Sequence, residues 1–323
     1  VIEILSNGAL NVVQDLGRPE HLPLGVSTSG AMDAPALVLA NWLAGNDEGA
    51  AGIELGIFPF RVRFLRPARF ACTGATASLR LPARNASTWW SGTAQQGDVL
   101  VIEPPVLGAR AYLAIQGGID VPPVLGARAT DLKSGFGGLD GRGLRKGDRL
   151  ELGPSGESHG PARPIGIAPP SRLRFADELA TGTATIRVLA GAEHPQFTRE
   201  AVQAFEHTPY RLTPDCNRQG YRLEGAPLKT RRPLELLSHG IVPGTVQVPP
   251  SGQPILQLAE ANTCGGYPKI GAVIEPDLWR LAQLRPGQQV RFEVVDHATA
   301  LGAVREHAQE LERLRLAIAA RSA

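Results

Sequence analysis

The chain has a single methionine, Met32, and only four lysines, at positions Lys133, Lys146, Lys229 and Lys269. Aromatic residues make up 5% of its 323 positions, and cysteine occurs three times, at Cys72, Cys216 and Cys264. Three widely spaced thiols make no disulfide framework, and no pair has zinc-ligand spacing. The seven histidines never cluster, so no metal site is expected. No apolar run approaches the roughly 18 residues that would cross a membrane. The opening Val1-Ile2-Glu3-Ile4-Leu5 is not a secretory signal, and a reduced, cytoplasmic protein is expected. Neither sign of charge dominates. The 33 basic and 31 acidic residues leave +2, which excludes the basic stripe of a nucleic-acid binder. Generic catalytic motifs are missing too: there is no Gly-x-x-x-x-Gly-Lys-Ser/Thr phosphate loop and no Gly-x-Ser-x-Gly elbow. Ser238 and His239 are sequence neighbours, which says nothing by itself about a nucleophile–base pair.

Glycine and proline are abundant, at 37 and 27 residues, about one position in five against roughly 12% on average. Spread along the chain, they imply many turns and many short elements, and they exclude a helical bundle. Strand-like alternation appears at Arg61–Leu65, Asp98–Ile102, Ala111–Ile115 and Thr185–Leu189. One helix stands out at Pro35–Ala44, with Asp33 as N-cap and Gly45-Asn46 as the stop. A short helix is expected at Pro276–Leu284. Leu301, Val304, Ala308, Leu311, Leu314 and Ile318 fall at helical spacing and predict an amphipathic C-terminal helix packed on this chain. The expected organisation is a β subdomain over 1–152, a Pro/Gly-rich crossing over 153–184, a second β subdomain over 185–297 and the helix over 298–323. A faint echo links Leu144–Leu152 with Leu284–Phe292, and Thr93–Ile102 has the same shape: a glycine turn leading into a closing strand. The heptapeptide Pro-Pro-Val-Leu-Gly-Ala-Arg occurs at 104–110 and 122–128, an offset too short for a repeat with its own core.

Six segments are unusually dense in small and polar residues. They are Val13–Arg18 with Gly25–Asp33, Ala40–Asn46 running to Ile53–Leu55, Gln116–Asp120 with Leu125–Thr130, Asn217–Leu223, Gly244–Pro249, and Glu260–Ile270. In this order they closely resemble the biotin-dependent carboxyltransferase-like family. That family includes allophanate hydrolase subunit 2, the carboxyltransferase region of urea carboxylase, the C subunit of bacterial 5-oxoprolinase (PxpC) and KipA. The resemblance implies a mainly β fold of two cyclophilin-like β-barrel subdomains, with a few short helices. Where relatives show Ser/Asp-Arg-Met-Gly, this chain has Asn217-Arg218-Gln219-Gly220, and Glu260 and Asn262 stand where relatives often carry Asp and Gln.

Relatives that carry biotin attach it to a lysine flanked by methionines, and none of the four lysines here adjoins Met32. No biotin is therefore expected on this chain, and the resemblance points to the 5-oxoprolinase branch. That branch implies ATP-dependent opening of 5-oxoproline to glutamate. ATP, with Mg2+, would bind at a site that is not a phosphate loop or lies at a subunit interface. The partners would be an allophanate hydrolase subunit 1-type chain (PxpB/KipI-like) and a LamB/YcsF-like PxpA chain. A urea-type carboxyltransferase and a KipA-like regulator are the alternatives. Glu260 is the acid–base candidate, with Lys269 and Tyr267 as further catalytic candidates. Arg218 and Arg222 suit a carboxylate clamp, and Gly265 and Gly266 suit backbone donation to an anion. Asn217, Gln247, Arg18 and Arg128 complete the candidate binding set. Structural roles compete for several of these residues. Arg18 and Arg128 would serve equally as ion-pair partners, the two glycines as positive-φ turn residues, and Tyr221 and Tyr267 as core residues. Cys264 is expected as a small buried thiol.

Overall fold

Strand is the commonest regular structure, at 34% against 23% helix. The computed structural model describes residues 1–82, 84–154 and 163–321. The chain forms two units. The first is built from Val1–Arg18, Ser29–Leu173 and Glu310–Ala323, the second from Pro19–Thr28 and Arg174–Gln309.

In the first unit one sheet centres on strands Ile2–Ile4, Phe60–Phe64 and Val99–Ile102. Phe60, Val62 and Phe64 alternate with Arg61 and Arg63, so the apolar set faces inward and the arginines outward. The second sheet runs Val12–Gln14, Gly52–Leu55, Leu107–Ile115, Ala68–Thr76, Trp90–Ala94. Both sheets contribute to one core, with Ile4, Phe64, Phe70 and Leu113 among its buried members. Ala111 to Ile115 are buried without alternation. Helix α1 (Ala34–Ala44) explains this, because Leu39, Ala40 and Leu43 cover Ala71 and Ala114 on the sheet's other face.

Asp33 caps α1, accepting from the Ala36 N–H at 3.0 Å, and Gly45 ends it in the left-handed conformation. The carboxylate does more than cap. Arg172 grips it with two 2.6 Å bonds while stacking over Trp89. Asp33 N–H donates to the Tyr112 hydroxyl, which donates to Glu54. Burial, with the charges of Glu54 and Asp33, raises the Tyr112 pKa well above its ordinary value.

The Pro/Gly-rich crossing is not all linker, although 155–162 lie outside the described residues. Residues 165–167 pair along the edge of Trp90–Ala94. Helix α2 then spans Pro170–Thr181. The second unit closes seven strands into a barrel, in the order Thr183–Ala190, Lys269–Val273, Thr245–Gln247, Ile255–Gln257, Gly220–Glu224, Tyr210–Cys216, Gln289–Val294. Helix α3 (Arg199–His207), capped by Thr198, places Phe205 in a stack on Phe292. Helix α4 (Leu278–Ala282) falls inside the predicted short helix.

Helix α5 (His297–Ala319) forms as the periodicity predicts, with its early stripe shifted by one residue. Leu301 and Val304 are exposed, whereas Ala300 and Ala303 are buried against Ile274 and Leu189. Further along, Leu311, Leu314 and Ile318 pack on the cluster of Leu39 and Leu43. Glu310 is buried because its carboxylate accepts the Ser171 N–H, an otherwise orphan donor in the first turn of α2.

The faint echo is a shared turn. At Gln95–Asp98, Arg145–Asp148 and Arg285–Gln288 the fourth side chain accepts from the first N–H at 2.7–2.8 Å. The third residue is glycine at φ +89 to +94, donating 2.8 Å bonds to Phe64, Ile4 and Leu212 respectively. The duplicated heptapeptide is no repeat: Leu107–Arg110 belongs to a strand, while Val124–Ala127 is a tight turn.

Asp33→Ala removes the cap and strands the Arg172 charge in a nearly buried position. Urea melts should show a loss of about 3–5 kcal/mol, with a smaller loss in Asp33→Asn, which keeps the capping oxygen. Equal losses in the two variants would contradict the capping contribution, and a wild-type midpoint in Asp33→Asn would contradict the charge argument.

Candidate functional site

Neighbouring barrel strands align Arg222 with Ile255, Ile255 with Gln247, and Gln247 with Lys269. The alternate row, Tyr221, Leu256 and Val246, is buried and points the other way. Three of the sequence candidates thus share one row, although Arg222 is at its exposed end and makes no hydrogen bond or ion pair among the described residues.

Gln247 and Lys269 are buried, and both meet the short strand Cys264–Gly265, which pairs with His239–Gly240. Lys269 Nζ donates to the carbonyl oxygens of Gly265 and Tyr267, each at 3.2 Å. Loss of hydration lowers the Lys269 pKa from 10.5, opposed by the Glu193 charge. Glu193 also accepts the Lys269 backbone N–H. Gln247 Oε1 accepts from Gln257 at 2.9 Å. Gly265 and Gly266 are not at positive φ. Backbone comes too close at Gly266, and a side-chain end does at Gly265. A methyl on Gly265 would stand 2.6 Å from Gln247 Nε2, and one on Gly266 would stand 2.7 Å from the Leu236 carbonyl oxygen.

Beside this row opens a cleft of about 750 Å³. Its walls include Pro227, Pro233, Leu234, Pro249, Gly266, Tyr267 and Pro268, with Lys229 and Glu235 as its charged members. Tyr267 is half-exposed at this wall, so it is not a core residue, unlike buried Tyr221. Cys264 is exposed, which corrects the expectation of a buried thiol. Cys72 is the buried one, its pKa pushed up to about 12.

Arg218 and Glu260 form a buried ion pair, Nε to Oε1 at 2.5 Å, and the Glu260 N–H donates to the Arg218 carbonyl. The pair ties Asn217–Gly220 to Glu260, and the acid–base candidate carboxylate is engaged by an arginine. Asn217 folds its own loop, its Oδ1 accepting from the Gln219 and Gly220 N–H groups. Arg18 and Arg128 belong to the first unit. Arg18 is buried, donating to the carbonyls of Ala129 and Val124 over the Phe136 ring. Arg128 makes an exposed pair with Asp120. In the second unit Thr28 bonds the Ala259 carbonyl, and Gly25 lies near Thr263, so part of the first dense segment meets the last. Sequence reasoning missed Gln257 and Glu193. Gln257 was detectable as the residue two beyond Ile255 on the same strand face, whereas nothing local marks Glu193.

Residues 24–294 match the family described as "Carboxyltransferase domain, subdomain A and B". The chain belongs to this family. It is 41% identical to the 5-oxoprolinase C subunit of Escherichia coli over 97% of both chains. It is 36% identical to the 5-oxoprolinase C subunit of Haemophilus influenzae over 98% of both. The crystal structure of the Kluyveromyces lactis urea amidolyase superposes with a TM-score of 0.87 at 27% identity. That match covers 97% of this chain and only 20% of the amidolyase. Among the described residues no helix is long and apolar enough to cross a membrane.

Because the Lys269 pKa is lowered on folding, the unfolded chain binds more protons between the lowered value and 10.5. Stability should therefore rise with pH through that window in the wild type relative to Lys269→Met, read as the difference between their denaturant midpoints. In native thiol labelling Cys264 should react well before Cys72, and the reverse order would contradict the burial assignments.

Proposed function

We propose that the chain is the C-type subunit of an ATP-dependent 5-oxoprolinase, opening the lactam of 5-oxo-L-proline to L-glutamate with partner subunits in the cytoplasm. The observation that carries this reading is end-to-end likeness, 41% identity over 97% of both chains, to a protein named as that subunit. A lactam carbonyl is a poor electrophile. Transfer of the ATP γ-phosphoryl group to its oxygen gives ADP and a good leaving group. Water adds to the carbon and the C–N bond opens to leave a γ-glutamyl phosphate, which a second water hydrolyses, so that 5-oxoproline, ATP and two waters give glutamate, ADP and phosphate. This chemistry needs cations for the carboxylate and phosphate oxygens and donors for the developing charge.

The 750 Å³ cleft does not suit a triphosphate. Among the described residues Lys229 is the one cation on its walls, and the rest are mostly proline and aliphatic. ATP is accordingly assigned to a site that the partner chains supply or complete. The partners in this reading are the PxpB/KipI-like and LamB/YcsF-like PxpA chains. Lys269, Gln247 and the Gly265–Tyr267 segment are the elements that this reading assigns to the substrate.

A second reading, carboxyl transfer from a separate biotin carrier, is favoured by the superposition on the urea amidolyase. One experiment separates the two. The chain co-purified with its partners should release glutamate and ADP in equal amounts from 5-oxo-L-proline and ATP, and each subunit alone should not. A complete complex with no glutamate release, or one that carries biotin and carboxylates urea, would overturn the first reading.

A further inference from the structure

One stretch beside the cleft has a strand's shape and no strand beside it. Residues 233–238 run without a turn or bend into the strand His239–Gly240, which pairs with Cys264–Gly265. Leu234 and Leu236 are half-buried, while Pro233, Glu235 and Leu237 are exposed, the period of two of an extended chain with one face covered. Residues 233–236 line the cleft. Among the described residues, however, their main chain enters no hydrogen bond. Backbone groups are seldom left unused beside apolar walls, and an unpaired extended edge is a template for another strand. Folded proteins blunt such edges with proline or charge. Pro233 removes only one donor here, and Leu237, 92% exposed, does the opposite. The charge alongside is unspent as well. Lys229, Arg231 and Arg232 are exposed, and none of them enters an ion pair among the described residues. Glu235 is the one acid among residues 229–235 to set against these three cations.

We propose that residues 233–238 receive an extended segment of a partner subunit, which adds a strand to this edge and brings an acidic residue to Lys229 and Arg232. Directly opposite residues of paired strands share a face. Alternate side chains of the added strand therefore point where Leu234 and Leu236 point, toward the cleft. That one occupant accounts for the unused main chain, for the exposed Leu237 and for the apolar walls of a cleft of about 750 Å³. A second copy of this chain fits less well. Pairing centred on Glu235, which would set Leu234 against Leu236, also sets Glu235 against itself, and like charges directly opposite are destabilising. The proposal rests on the 5-oxoprolinase reading for the existence of partner chains, since the relatives are named as C subunits. It rests on this chain's geometry for the place where one docks.

Hydrogen exchange on the full chain, alone and co-purified with its partner chains, tests it. The amides of residues 234–238 should exchange freely in the isolated chain and slow at least about 10-fold in the complex, because they gain main-chain acceptors there. Leu237→Asp and Arg232→Glu should each weaken partner binding about 10- to 100-fold, the range for a desolvated or charge-paired interface contact. Leu301→Ser removes an exposed leucine on α5 and should leave binding unchanged. All three replaced residues are exposed, so the variants should fold as the wild type does. Unchanged exchange of these amides on assembly, or wild-type partner binding by both edge variants, would overturn the proposal. So would self-association of the isolated chain that Leu237→Asp abolishes, which would assign the edge to a second copy. If the complex fails to hydrolyse 5-oxo-L-proline while these amides are protected, the functional reading falls and the docking edge stands. Glutamate release by a complex whose amides exchange as in the free chain would remove the edge and leave the function.

Discussion

One buried ammonium organises the end of the barrel in the second unit. Lys269 is held from three sides: its backbone N–H by Glu193, its side chain by the Gly265 and Tyr267 carbonyls, and its strand by register with Gln247. A buried cation demands oxygen partners, because removing its water without replacement costs far more than any single contact returns. The Gly265 and Tyr267 carbonyls supply two of those oxygens, and their segment lines the cleft through Gly266 and Tyr267. A side chain at Gly266 would collide with the Leu236 carbonyl, whereas one at Gly265 would meet the movable end of the Gln247 side chain.

The first unit solves a comparable problem by pairing. Asp33 sits at a helix start and is buried, and Arg172 and the Ala36 N–H keep its carboxylate satisfied. Arg218 and Glu260 repeat the device in the barrel. Such pairs leave little net stability relative to an apolar core, but they are intolerant of losing one member. Candidates chosen for their charge therefore divide by burial and partner. Arg18, Arg218 and Glu260 are engaged by their own protein, while Lys269 keeps donor capacity beside a cavity.

Much of the fold was legible because local rules and tertiary structure agreed. Asp33 and Gly45 bracket α1 as cap chemistry requires, and Arg61–Leu65 alternates as a half-buried strand must. The glycine turns were visible as an echo because the backbone there needs positive φ three times over. Helix α5 was legible in extent but offset in its first half. There, small alanines pack against Ile274 while the larger Leu301 and Val304 stay in solvent, and periodicity alone favours the larger residues. The reason for Gly266 was not legible, since close approach by the distant Leu236 carbonyl leaves no local mark.

The sequence by itself determined the family, the turn-rich β character and the small-residue segments that carry the resemblance, because each is written in residue types at short spacing. Only the tertiary structure decided which charged candidates are satisfied internally and which keep a donor for something else. Hydrogen-bond satisfaction depends on atoms brought together from distant strands. Gln247, Gln257, Glu193 and Lys269 become neighbours only once the barrel closes.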